Sequence, residues 1–75
     1  MQDQRPLAPQ KPLWTVRKAD RTLQCAVVYL PSGADLRLLD AGDFRRIILF
    51  RNGDELRQRE AEWKAALFER GWAEV

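Results

Sequence analysis

Seventy-five residues, 45% hydrophobic and 32% charged, make at most one domain, and a net charge of +2 is too small to announce a polyanion-binding protein. One cysteine, Cys25, and no histidine exclude an intrachain disulfide and a structural zinc site, which takes about four Cys or His ligands. A chain this short buries only about 60–65% of its unfolded surface, so of the usual staples (disulfide, metal, association) only association remains.

A lone cysteine fits a reducing compartment. No basic start followed by an apolar run and a cleavage site marks a signal peptide. The longest mostly apolar run, Cys25 to Leu30, is far short of the ~20 residues that span a membrane. The expected setting is cytoplasmic, with no membrane partner. The predominance of arginine over lysine fits a GC-rich bacterial genome.

Residues 1–12 carry Pro6, Pro9 and Pro12 at every third position, a spacing that favours extended polyproline geometry and a flexible arm. Residues 13–75 then form one small domain. Trp14 and Val16 alternate with Thr15 and Arg17 in a first strand ending at Lys18, and a turn follows over 19–22. Leu23 to Leu30 is a second strand with two apolar faces, Leu23, Cys25, Val27 and Tyr29 on one, Ala26, Val28 and Leu30 on the other. Pro31, Ser32 and Gly33 form the clearest turn, with Gly33 able to take positive φ. Leu36 to Leu39 is a short third strand, and Asp40 to Asp43 turns the chain again, with Gly42 the expected positive-φ residue. Phe44 to Arg51 is the fourth strand, with Phe44, Arg46, Ile48 and Phe50 on one face and Arg45, Ile47, Leu49 and Arg51 on the other. A two-residue loop and a bulged three-residue loop before it differ by one residue of register, so the matching of faces between strands three and four stays open.

Asn52 to Glu55 resembles a capping box, and Asp54 and Glu55 suit the positive end of a helix. The helix runs from about Asp54 to Arg70. Leu56, Trp63 and Leu67 share one stripe toward the sheet. Gly71 is the expected C-cap, with Trp72 folding back on Leu67. A second stripe of Ala61, Ala65 and Phe68 lies nearly opposite.

These elements predict an α+β fold: a four-stranded antiparallel meander followed by one C-terminal helix packed on the sheet. One helix covers one sheet face. Ala26, Val28, Ile47 and Leu49 then line the second face, and Phe68 on the outer helix stripe is a further interface candidate. Burying such side chains is favourable by ~25 cal/mol per Å² of apolar area, and a two-fold axis reuses one patch. The expected function is therefore a non-enzymatic binding or regulatory module, acting as a homodimer or within a protein complex.

Residues suited to catalysis are sparse. No histidine offers a base and no glycine-rich loop cradles a phosphate. Ser32 sits in a tight turn, and Asp40 and Asp43 flank another, where both residue types are ordinary. Cys25 lies mid-strand on an apolar face, far from the electropositive, accessible setting that a reactive thiol needs. No cofactor is implied.

The alternative function rests on charge and aromatics. Arg37, Arg45, Arg46 and Arg51, with Phe44 and Phe50, offer a basic sheet surface with stacking platforms, which is how single-stranded nucleic acid is bound. The four-strand-then-helix order resembles the architecture of Whirly-type and Pur-repeat single-strand-binding proteins, without a sequence motif of either family.

Overall fold

The computed structural model describes residues 10–40 and 43–75, with the side chains of residues 43 and 44 excepted. Four long strands form an antiparallel meander: β1 (Gln10–Lys18), β2 (Arg21–Leu30), β3 (Gly33–Asp40) and β4 (Asp43–Phe50). A single helix, α1 (Gly53–Glu69), follows, and a two-residue strand, β5 (Ala73–Glu74), returns to pair with β1. The sheet order is β4-β3-β2-β1-β5, so the α+β meander with one packed helix is observed, enlarged by a fifth strand.

β1 starts at Gln10, so residues 10–12 of the expected arm belong to the sheet, while residues 1–9 lie outside the described residues. Pro12 is tolerated because its stretch of β1 lies beyond β5, which pairs only at Val16 and Arg17, and because the register shifts beside it. That shift lets Leu13 and Trp14 share the helix-facing side. β3 is also longer than Leu36–Leu39. Leu30 pairs directly with Gly33, so the hairpin loop is only Pro31 and Ser32. Gly33 has φ +151°, and a Cβ there would lie 2.3 Å from the Phe50 carbonyl oxygen, so the close approach of β4 demands glycine.

Asp40 pairs with Asp43, which makes the second hairpin loop the two residues 41 and 42; the expected conformation of Gly42 lies outside the described residues. A second register shift, between Leu38 and Leu39, pairs Arg46 with Leu38 and Phe44 with Leu39 and leaves Arg45 over. The simple alternation of β4 therefore breaks at Arg45. Phe44 pairs in a different row from Arg46, Ile48 and Phe50, against the expected shared face.

α1 opens as the sequence implies: the Asn52 side chain accepts from the Asp54 amide at 2.8 Å. It closes in a Schellman arrangement, with Gly71 N–H donating to Phe68 O and Trp72 N–H to Leu67 O, at 3.1 and 3.0 Å. Gly71 has φ +92°, which its lack of a Cβ makes cheap.

The core lies between α1 and one sheet face. Trp14, Val16, Leu23, Cys25, Val27, Ala34 and Leu36 pack with Leu56 and Trp63, and Leu38, Ile48, Phe50, Leu67 and Trp72 close the margins. The Trp14 indole N–H donates to the Glu60 carboxylate, so the one polar atom of a buried ring also fixes the height of the helix over β1. Among the described residues no helix is long and apolar enough to cross a membrane.

Candidate protein-binding surface on the outer face and the β4 edge

The cross-strand pairing aligns residues of the sheet face turned away from α1 in two rows. One is Val28–Asp35–Leu49 and the other Ala26–Arg37–Ile47. The four interface candidates on the sheet are thus brought together. They do not share one environment. Ala26 and Val28, on the central strand, are 0% and 2% exposed within a single chain, whereas Ile47 and Leu49, on the edge strand, are 48% and 46% exposed. The Arg37 side chain helps to cover the central pair. It starts beside Ala26, reaches Gln10 on β1 across β2, and bonds Asp35 at 3.3 Å. The shortage of cover is therefore confined to the rim formed by β4. Phe68 is half-exposed on α1, on the other side of the sheet, with the Lys64 ammonium 5.8 Å from its ring centre. It does not join the Ile47–Leu49 patch.

β4 ends the sheet, so its outward backbone amides and carbonyls meet no other strand among the described residues. Such an edge is a template for strand addition unless it is short, bulged or charged. β4 has a bulge and charge only near its start. Ile47 to Phe50 is uninterrupted apolar strand.

The six residues proposed for nucleic-acid stacking are distributed differently from the single face that reading needs. Arg37 lies on the outer face, bound to Asp35. Arg45 occupies the bulge and bonds Asp40, which also takes Arg21, both at 2.9 Å. These two guanidiniums hold the Asp40 carboxyl below its ordinary pKa, chiefly through their hydrogen bonds, Arg21 first. Phe50 is half-buried on the helix side, under Arg59. Arg46 pairs with Leu38 on the helix side, and Arg51 follows the end of β4 beside a cleft. Phe44 enters only through its backbone pairing.

Two concavities lie between the sheet and α1, and the second borders the edge strand. A cleft of about 590 Å³ lies between Leu13, Tyr29, Gly33 and the start of α1, rimmed by Arg51, Arg57 and Glu60. A groove of about 280 Å³ has Leu38, Trp63 and Leu67 along its floor and Arg46 and Arg70 on its rim. Arg21, Arg37, Arg45, Arg57 and Arg59 each pair with a carboxylate, but among the described residues Arg46, Arg51 and Arg70 meet none. Sequence reasoning passes over Arg70, which reads as an ordinary last-turn base. Only its helical position next to Leu67, on the sheet-facing stripe, hints that it borders the edge strand.

Cys25 is buried at the centre of the core, and burial, aided by the charge of Glu60, pushes its thiol up to about 12. It packs within the core, and its raised pKa keeps it in the thiol form near neutral pH.

No protein-family description, curated protein or solved structure matches this chain.

Proposed function

We propose that this chain is a non-enzymatic, cytoplasmic protein-binding module whose docking surface is the exposed edge of β4, in a homodimer or in a complex with another protein. The observation that carries this reading is the end strand itself: eight residues long, paired on one side only among the described residues, with Ile47 and Leu49 half-exposed. Two half-exposed side chains are a small part of the ~800 Å² that each partner gives to a standard interface. Main-chain hydrogen bonds along the edge therefore carry more of the affinity than face-to-face apolar burial, as in strand addition generally.

Sedimentation velocity at micromolar concentration, with the parent and Leu49→Lys, tests the reading. A dimer dispersed by an edge lysine makes the partner a second copy. A monomer whose β4 amides gain hydrogen-exchange protection from a bound peptide makes it another protein. A monomer whose β4 amides are protected by no peptide selected from a display library overturns the reading.

A further inference from the structure

Resting on the protein-binding reading, the charge at the β4 edge specifies the partner. From Arg45 to Arg51 the strand reads Arg-Arg-Ile-Ile-Leu-Phe-Arg, with no acid. Arg46 and Arg70 converge on one groove beside that edge, and neither meets a carboxylate among the described residues. Arg51 stands in the same condition at the other end of the strand. Two copies of β4 laid side by side would bring three guanidiniums from each copy into one interface against a single acid from each, Asp43, and like charges in a strand pair are destabilising. A second copy is therefore the poorer occupant.

We propose that the β4 edge takes an extended, acidic–apolar segment of a different protein by strand addition, with an acidic side chain seated between Arg46 and Arg70. Antiparallel pairing, which the rest of the sheet uses, sets the order of residues. Apolar side chains lie beside Leu49 and Ile47 on the outer face. The residue between them falls beside Ile48, and the next falls beside Arg46 on the helix side. The partner segment reads apolar–any–apolar–acidic along its own chain. Carboxylates bind guanidinium by paired, charge-assisted hydrogen bonds, so the acidic position sets specificity while the backbone supplies most of the contact.

The probe is a displayed library of random octapeptides, selected on the folded full chain. Selection is expected to enrich the apolar–any–apolar–acidic order. A synthetic peptide of the enriched sequence should protect β4 amides from hydrogen exchange and bind several-fold more weakly at 300 mM salt than at 50 mM. The double variant Arg46→Glu, Arg70→Glu should lose at least tenfold in affinity, and a peptide with lysine at the acidic position should restore binding to it. Reversal of the exposed Arg17 on β1 should change little. Rescue by the lysine peptide separates a charge effect from misfolding. Enrichment of basic or uncharged sequences, or binding indifferent to the double reversal, overturns the proposal. A homodimer dispersed by Leu49→Lys overturns the acidic partner and leaves the protein-binding reading standing. Neither enrichment nor dimer overturns both.

Discussion

The two faces of this sheet are built from the same strands and stabilised by different means. On the helix side, aliphatic and aromatic side chains of β1, β2 and β3 meet Leu56 and Trp63 in a dry core. On the outer side no element packs over the strands among the described residues, yet Ala26 and Val28 are as buried as the core. Among the described residues their cover is local: flanking strands, and an arginine laid across β2. An amphipathic arginine shields apolar surface with its methylene stem while its head stays hydrogen-bonded. Among the described residues the outer face is most open at the rim, where β4 pairs on one side only. The burial of Ala26 and Val28 within a single chain leaves the exposed apolar area of the outer face at Ile47 and Leu49.

The sharpest test of the helix-side core is Trp63→Ala. Truncating a buried Trp costs about 3–5 kcal/mol. For a domain of this size that corresponds to a fall of roughly 15–30 °C in Tm by calorimetry. A fall of a few degrees would mean that α1 is not what holds this face.

The asymmetry between faces was only partly legible in the sequence. Alternation in Trp14–Lys18 and Leu23–Leu30, the Asn52 cap and the Gly71–Trp72 closure are local signals, set by the residues that carry them. The two bulges are not local. Whether Leu13 doubles up with Trp14, or Arg45 is left over beside Arg46, depends on the partner strand, and a shift of one residue moves every later side chain to the other face. The backbone pairing of Phe44 with Leu39, on the far side of the shift from Arg46, is set in that way. β5 has only two residues and no pattern; it forms because the Schellman turn aims the chain back at β1, where Val75 N–H reaches Thr15 O at 2.9 Å. The outer-face rows were legible in membership, but burial was not. No periodicity shows that Arg37 crosses to Gln10, and none shows Arg46 and Arg70 on one groove.

The outer face is probed by Val28→Asp. A carboxylate there is buried beside Asp35, its partner in the row. Burying an unpaired charge is among the few mechanisms that yield large single-site losses, and about 3–4 kcal/mol is expected by urea titration. Parent-like stability would show that the centre of the outer face is wetter than the core.

Cys25 reports on the helix side without altering shape. Its folded pKa, about 12, lies above the ordinary thiol value, so its contribution to stability is complete below about pH 9 and is lost as the pH rises toward 12. Tm should therefore fall across that range in the parent by more than in Cys25→Ala. At pH 8 a thiol reagent should label the folded chain only through opening, and the urea-unfolded chain at once. Rapid labelling of the folded chain would place Cys25 at the surface.

The smallest expected effects are at the rim, and they isolate burial from charge. Leu49 and Val28 flank the same residue, Asp35, in one cross-strand row. Aspartate at either position places a second carboxylate directly opposite the first. The neighbour and the substituted side chain are then the same, and the main difference is exposure: 2% at Val28 and 46% at Leu49. Water screens the pair at the rim, so Leu49→Asp is expected to cost only about 0.5–1 kcal/mol, the range of like charges across a strand pair. Leu49→Lys reverses the sign. It faces Asp35, which Arg37 already holds at 3.3 Å, so the added attraction is shared and the stability should stay within about 0.5 kcal/mol of the parent. The lysine nevertheless places a charge in the middle of the apolar edge, where strand addition needs burial. Stability unchanged with peptide binding lost would separate the pairing of β4 with β3 from the proposed docking along its other side. If Leu49→Lys instead lowers stability as much as Val28→Asp does, the rim is as buried as the centre, and the contrast between the two positions disappears.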